Sequence, residues 1–335
     1  MAVKRQFVPV LAFTFMILPQ IARADNFYKE MRLVGGYSDK DKWVGGKGEI
    51  MNSLGFEYFK KFSNEYGDFL TLDLQLRAAY DSMASSEDAF GVELHNAWLE
   101  HKLGLGKSVR VGHFAPAFGL EPVVDTHGTL LQTLAEQDIG FKRDWGVDYK
   151  GLLGDYDFEF AAQLGSGMGI HREDGSFLLT NRISTPKSGE TQWGLSFLYG
   201  QTLESSQPWT IPSPDLVSDK STQKRRIGLD VQRQLGIFDF KAEVAAGDND
   251  GKTVAGGLTE FGYTVPQQQN LKVKMQVSYW SNDWDKKNAR DFTLAPVIEY
   301  KVNTSSTISL GYFHDIYSSS DEDRMILLQF YYFGL

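Results

Sequence analysis

An alternation of apolar and polar residues with a period of two runs along most of this chain. In the segment 70–80 the apolar positions are Leu70, Leu72, Leu74 and Leu76, and the polar positions between them are Thr71, Asp73, Gln75 and Arg77. Successive side chains of a β-strand point to opposite faces of its sheet, so the segment predicts a strand with one aliphatic and one charged face. The pattern recurs at 156–164, 238–244 and 271–279, which predicts an all-β fold.

Such strands fit two architectures. In a soluble sandwich the leucines would point into a core and the polar face would meet water. In a membrane barrel the leucines would meet lipid and the polar face would line a wet interior.

The lengths of the links between strands favour the barrel. Long links at 38–47, 82–89, 117–143, 166–176, 202–224, 248–256, 281–290 and 317–323 alternate with short ones. Outer-membrane barrels have long external loops, short periplasmic turns and an even strand number. We therefore predict a transmembrane antiparallel β-barrel of about 16 strands, within a range of 14–18, with both termini on the short-turn side.

The amino terminus has the pattern of a secretory signal peptide. Lys4 and Arg5 precede an apolar run at 7–18, and Ala22 and Ala24 are small residues at the positions that a signal peptidase reads. The run is shorter than the roughly 20 residues of a membrane-spanning helix. We expect residues 1–24 to be removed and residues 25–335 to form the barrel in the cell outer membrane of a Gram-negative cell.

Composition excludes several kinds of site. The 335 residues contain no cysteine, so disulfides, zinc-thiolate sites and thiol nucleophiles are absent. The formal net charge of −9 disfavours nucleic acid as a partner. We expect no cofactor and no metal.

Two segments resemble a known family. The matching positions in 109–131 are Gly112, Phe114, Ala115, Pro116, Phe118, Gly119, Leu120 and Glu121, with Ala117 inserted; those in 141–151 are Arg143, Asp144, Gly146 and Gly151, with Lys142 in place of a glycine. Both resemble the phosphate-selective porins, the pyrophosphate and phosphate channels of Gram-negative outer membranes. The resemblance implies a passive diffusion channel for small polar or ionic solutes, with anions such as phosphate among the candidates.

The long link at 117–143 is the main candidate for a functional segment. Pro116 cannot donate to a β-ladder and ends the preceding strand, and a link this long is unusual unless it has a function. We expect it to fold into the pore, where Asp125, Glu136 and Asp138 would face arginines across the channel. The predicted pore-lining and constriction residues are Arg77, Arg110, Glu121, Asp125, Glu136, Asp138, Lys142, Arg143, Arg182 and Arg226. The alternative is that the acids only solvate an external loop.

The polar faces carry mixed charge, and aromatic residues fall near strand ends. Basic residues of the polar faces, such as Lys272 and Lys274, are balanced in number by acidic residues such as Asp73 and Glu243. A phosphate channel needs unpaired basic residues in excess, so anion selectivity does not follow from the resemblance. Residues expected in interfacial girdles on the apolar face are Trp98, Trp145, Trp193, Tyr149, Tyr199, Tyr263, Tyr279, Tyr300 and Tyr312.

Two other functional classes remain as alternatives. None of the histidines lies in a GxSxG or HExxH context, so we do not expect an enzyme. A barrel that surrounds a multihaem cytochrome would need a wider bore than 16 strands usually give. The expected partners are outer-membrane lipid and small polar or ionic solutes, with a homotrimer and a lumenal multihaem cytochrome kept as further alternatives.

Overall fold

The computed structural model describes residues 26–82, 84, 89–171, 173–186, 189–286, 289–317 and 322–335. The predicted signal peptide at 1–24 lies outside these residues. No helix in the described part of the chain is long and apolar enough to cross a membrane.

The described residues form one antiparallel sheet. Its long strands are β1 (Asn26–Ser38), β4 (Ile50–Asn64), β5 (Gly67–Tyr80), β6 (Phe90–Gly104), β7 (Lys107–Phe114), β8 (Asp144–Leu153), β9 (Tyr156–Gln163), β10 (Phe177–Ser184), β11 (Thr191–Thr202), β12 (Thr222–Leu235), β13 (Phe238–Asn249), β14 (Lys252–Thr264), β15 (Leu271–Ser281), β16 (Arg290–Lys301), β17 (Ser306–Tyr317) and β18 (Glu322–Gly334). Two short strands, β2 (Lys42–Val44) and β3 (Gly46–Lys47), lie in the first long loop, and a single turn of helix, α1 (Ala135–Asp138), lies between β7 and β8.

The sheet closes on itself. Each long strand pairs with the next along the chain, and β1 pairs with β4 on one edge and with β18 on the other. The register from Lys29↔Gly334 to Ser38↔Met325 joins the two ends of the sheet and places both termini on the short-turn side. The predicted antiparallel barrel of 16 strands is confirmed for the described residues.

Long and short connections alternate as predicted, with one exception. The link predicted at 248–256 is wrong, because β13 continues to Asn249, β14 begins at Lys252, and only Asp250 and Gly251 lie between them. Both turn residues have positive φ, of 48° and 82°. Asp-Gly is a sequence that adopts this two-residue hairpin turn readily, so the strands pair up to the turn.

The two faces of the strands have opposite environments. In β5, Thr71, Asp73, Gln75 and Arg77 are buried and point inward, whereas the leucines between them are partly exposed on the outside. Outward side chains on neighbouring strands, such as Leu99 and Val111, are about half exposed, at 46% and 52%. Because the apolar face is the outer one, the barrel suits a lipid environment.

Most aromatic residues of the predicted girdles lie on the outer face, but Trp98 does not. Tyr199 and Tyr300 are exposed outside, whereas Trp98 packs inside against Phe114, Ala117 and Ala161. The pairing of β5 with β6 shifts register at Gln75/Leu76, which inserts one extra residue in β6. Such a bulge moves all later side chains to the opposite face, and this reverses the prediction for Trp98.

Candidate functional site

Residues 115–143, which connect β7 to β8, lie against the inner wall of the barrel. We call this segment the long loop. Its backbone is held by side chains from four strands: Thr180 of β10 and Ser196 of β11 accept from the amides of Ala117 and Gly119 at 3.0 and 3.1 Å, and Gln276 of β15 and Gln329 of β18 donate to the carbonyls of Gln132 and Gly128 at 3.0 and 2.8 Å. These side chains satisfy polar backbone groups that would otherwise be buried without partners.

Apolar side chains of the long loop join four hydrophobic clusters with the wall, one of which is the cluster of Ala117 with Phe114, Ala161 and Trp98 described above. Leu130 and Leu131 join a cluster that includes Val297 of β16, Phe313 of β17 and Leu327 of β18. A second cluster contains Phe118, Ile139, Phe141, Leu178, Leu198, Ala245, Val254 and Trp280, and a third contains Leu120, Leu134 and Leu258. The loop is therefore packed on the inward face from β10 to β18, and burial of these side chains stabilises that position.

Two glycines allow close approach of the long loop to the wall. Gly119 and Gly128 both have a φ of 60°. A Cβ atom on Gly119 would lie 1.8 Å from a carboxylate oxygen of Glu243, and one on Gly128 would lie 2.3 Å from the ring of Tyr331. Any other residue would therefore meet both a strained backbone and a steric clash.

The predicted constriction residues within the long loop are largely paired. Arg143 donates to Glu121 at 2.5 Å, and Glu121 also accepts from Thr133. Asp138 accepts from Arg226 of β12 at 2.5 Å. Asp138 and Arg226 are thus in direct contact and do not face each other across open space.

Lys142, Glu136 and Glu49 form a buried charged group where the long loop meets the first loop. Lys142 Nζ lies 2.5 Å from Glu49 Oε2. Burial and the nearby Glu49 charge raise the pKa of Glu136 to about 8. Burial acts against the charge on Lys142, but the two carboxylates raise its pKa above the ordinary value. One proton is therefore shared within this group at neutral pH.

Arg110 and Arg182 bind acids of the wall. Arg110 donates to Asp148 and, at 2.9 Å, to Glu159. Arg182 forms a two-point contact with Asp230, with its closer nitrogen at 2.6 Å. Among the described residues, neither arginine forms an ion pair with an acid of the long loop.

Arg77 belongs to a buried network at the point where β5, β6 and the long loop meet. Its guanidinium donates to Glu93 at 2.7 Å and lies near Glu30. His95 Nε2 lies 2.8 Å from Arg143, and its Nδ1 lies 2.8 Å from Arg77 and 3.0 Å from Glu93. Because arginine can only donate, His95 must accept at one ring nitrogen, which fits a neutral imidazole.

The tip of the long loop contacts this network through His127. The rings of His95 and His127 lie 3.8 Å apart, and His127 Nδ1 lies 2.7 Å from Asp125. This contact holds the pKa of Asp125 down to about 2, although burial alone would raise it. The carboxylate of Asp125 is exposed inside the barrel, unlike the other acids of the loop.

Sequence reasoning missed two features of the interior. The first is the apolar inner surface of β16–β18. The four consecutive apolar residues Met325–Leu328 could have indicated it, because a strand that is covered on both faces is apolar at every position. The second is the link 203–221, where Trp209 packs on Gly91 and Ile211 forms a β-bridge with Val92 of β6. No local pattern in 203–221 indicates this contact. It is possible because β7 is shorter than β6 and leaves the first residues of β6 without a β7 partner on that edge, and this follows only from the pairing of the strands.

Searches among known proteins find likeness in structure alone. No protein-family model matches the chain, and no curated protein matches it in sequence. An anion-selective porin from Comamonas acidovorans superimposes with a TM-score of 0.65 at 10% identity, over 92% of this chain and 99% of that one. OmpT of Vibrio cholerae, an outer membrane protein solved in a trimer form, gives 0.63 at 12% identity over 92% and 99%. The outer membrane channel DcaP of Acinetobacter baumannii gives 0.61 at 12% identity over 92% and 96%.

The chain shares the fold of these outer-membrane barrels. The similarity spans nearly the whole of each compared structure, so it covers the complete barrel. A closed barrel with an apolar exterior and a charged interior places the protein in the cell outer membrane.

Proposed function

We propose that this protein is a porin, a passive diffusion channel for small polar or ionic solutes. The observation that carries the proposal is the packing of the long loop on the inward face of β10–β18, inside a barrel whose remaining inner wall is charged. In this proposal the loop narrows the lumen, and solutes pass between the loop and the wall that it does not cover. Solutes would then be selected by size and charge at the narrowest point.

The constriction in this proposal is formed by the long loop and the wall that faces it. Glu121, Asp125, Glu136, Asp138, Lys142 and Arg143 belong to the loop or its end, and Arg77, Arg110, Arg182 and Arg226 belong to the wall. Because most of these charged groups form ion pairs, the electric field of each pair falls off within a short distance. Asp125 is the loop acid that is most accessible to a passing solute.

Phosphate selectivity has little support in the wall charges. Lys241, Lys272 and Lys274 each lie within 3.0 Å of a carboxylate oxygen. Paired lysines do not provide a ladder of free positive charge for anions. We therefore propose a channel without phosphate preference, and the anion selectivity of the Comamonas porin is not transferred to it.

A cytochrome sheath is the weaker alternative, because the packed loop occupies space that a lumenal partner would need. Haem that copurifies with the barrel would favour the sheath. A homotrimer is also a proposal for this chain, and chemical cross-linking of the purified protein in detergent would test it.

The test of the proposed function is a planar-bilayer recording with the protein purified from outer membranes. We expect discrete conductance steps in KCl, and swelling of proteoliposomes in small neutral sugars that falls as sugar size increases. Heat-modifiable mobility on gels provides the folding control. A correctly folded barrel that gives neither current nor swelling would overturn the proposal.

A further inference from the structure

We propose that the inner wall of β1, β4 and β5 carries a binding site for organic cations, meaning amines and quaternary ammonium solutes. The site is a block of alternating aromatic rings and carboxylates, formed by Tyr28, Glu57, Phe59 and Asp73. The inference rests on the proposed channel function, because it concerns a solute that enters the lumen.

The register of the strands brings these four side chains together. Glu57 of β4 is directly opposite Tyr28 of β1, and Phe59 of β4 is directly opposite Asp73 of β5. Directly opposed residues have Cβ atoms about 4.5–5.5 Å apart and point to the same face. Because Asp73 is on the inward face, the block faces the lumen.

The aromatic surface extends beyond this block. The ring of Tyr28 stacks on Phe333 of β18 with centroids 4.9 Å apart and an angle of 18° between the planes. Tyr28, Glu57 and Phe59 are all partly exposed on the inward side. Phe333 covers one face of Tyr28 and Lys61 lies over the Phe59 ring, so a solute in the lumen would reach the Glu57 carboxylate together with the remaining ring surface.

Neither carboxylate of the block forms an ion pair among the described residues, although the charges of Arg143 and Arg110 reach Asp73. The described structure gives Glu57 no hydrogen bond or ion pair, and the charges that act on it are those of Asp73, Glu30 and Asp125, all acids. Asp73 is 5% exposed, and its Oδ1 atom has no hydrogen-bond partner among the described residues, while Oδ2 accepts from Asn96 at 3.2 Å. A buried carboxylate oxygen without a donor is unusual and is satisfied by a cation or an ordered donor.

Nearby basic groups are already engaged. Arg77 is bound to Glu30 and Glu93, and Lys61 lies 3.9 Å from Asp68 and 5.9 Å from the centre of the Phe59 ring. Arg32 lies with its guanidinium 5.8 Å from the centre of the Tyr331 ring, so this part of the wall already holds one cation against an aromatic ring. The open positions beside Glu57 offer the same chemistry to a solute.

Carboxylates combined with aromatic faces select organic cations over simple ones. A ring face attracts a cation through its quadrupole, and the attraction is strongest for weakly hydrated cations such as quaternary ammonium groups. A lone carboxylate would bind K⁺ and choline through charge alone. The combination therefore predicts transient binding of choline in the channel, with less effect on small anions or neutral sugars.

The experiment measures the block of K⁺ current by choline chloride in planar bilayers that contain the full protein. We expect reversible interruptions with a measurable dissociation constant. At pH 8.5, where Glu57 carries its charge, Glu57→Gln should raise that constant at least about five-fold, because it removes that charge. Phe59→Leu should raise it about three-fold, because it removes one ring and leaves the charge.

The matched control is Asp157→Asn. Asp157 is a partly exposed carboxylate that lies at the same short-turn end of the barrel on β9, opposite Ser184 of the inward face. Unitary KCl conductance and heat-modifiable mobility report folding of every variant. Choline affinity that falls in Glu57→Gln and Phe59→Leu but not in Asp157→Asn supports the site, and choline block that Glu57→Gln leaves unchanged contradicts it.

Two outcomes would overturn the inference. Equal weakening by Glu57→Gln and Asp157→Asn would show that general lumenal charge, and not this block, attracts choline. A conducting channel without choline block would exclude the site while leaving the porin function intact. Absence of any conductance would instead overturn the proposed function on which the site depends.

Discussion

The inner wall of the barrel has two regions that use charge differently. On β10–β18, which the long loop covers, Arg182, Arg226 and Lys274 each contact an acid, and apolar side chains lie between the pairs. On the short-turn half of β1, β4 and β5, Glu57 and Asp73 lack a basic partner among the described residues. The first region holds the loop in position, and the second is the region that we propose interacts with solutes.

The difference follows from what each region contacts. A charge covered by protein is costly unless it is paired, which accounts for the ion pairs of Arg182, Arg226 and Lys274 under the packed loop. A charge that stays partly exposed on the inner wall, as Glu57 does, keeps part of its hydration and can remain unpaired. The position of the long loop thus determines where the channel can hold free charge.

The largest expected effect comes from removal of the loop itself. Deleting residues 124–138 removes Leu130, Leu131 and Leu134 from the wall together with Asp125, Glu136 and Asp138. We expect single-channel conductance to increase several-fold in planar bilayers, while heat-modifiable mobility stays normal because the strand pairs remain. Unchanged conductance would show that the loop does not limit the passage and would remove the distinction between the two regions.

A smaller effect is expected from one apolar contact of the covered region. Leu130 is 1% exposed, and Leu130→Ala should weaken docking of the long loop by about 2–5 kcal/mol through the lost contacts and the cavity that remains. The expected result is faster amide hydrogen exchange in 124–138 and a noisier open current.

The matched control for this substitution is Leu310→Ala. Leu310 lies on the outer face of β17 and is 47% exposed. Leu310→Ala removes the same atoms as Leu130→Ala, but from a side chain that faces lipid. Amide exchange in the long loop should therefore not change. If both variants accelerate exchange equally, the loop is not held by the inner surface of β16–β18.

The sequence was sufficient for the barrel but not for the arrangement inside it. Strand periodicity and alternating link lengths depend on local rules, so the fold, the strand number and the lipid-facing side of Leu72 and Leu74 could be predicted. The pairing of Asp138 with Arg226 could not, because these residues are distant in the chain and meet only after closure. The same applies to Glu57 and Tyr28, which lie opposite each other only because of the register of β1 with β4.

Trp98 and the turn at Asp250 show the limits of the local rules themselves. A single bulge in β6 reversed the face of Trp98, and no residue pattern in β6 indicates the bulge. The turn at Asp250 and Gly251 could have been recognised from Asp-Gly between two alternating segments. The predicted constriction residues stay a prediction in their role, although their positions inside the barrel are now described.

The smallest expected effect concerns Glu136, where the covered region meets the external loops. Glu136 and Glu49 line a cavity of about 310 Å³ on the long-loop side of the barrel. Burial and the Glu49 charge raise the pKa of Glu136 from 4.5 to about 8, so the protonated form is stabilised in the folded protein.

That stabilisation is fully present below pH 4.5 and is lost as pH rises through about 8. Between pH 7 and 9 the cavity therefore gains negative charge, and the K⁺/Cl⁻ permeability ratio should rise, by less than about two-fold because one charge is gained and Lys142 beside it offsets part of its field. Glu136→Gln should abolish the rise, whereas Glu173→Gln, at an exposed position of the 164–176 link, should keep it. A rise that persists in Glu136→Gln would assign the titration to another group, and the junction between the loops would then contribute no pH-dependent charge to the channel.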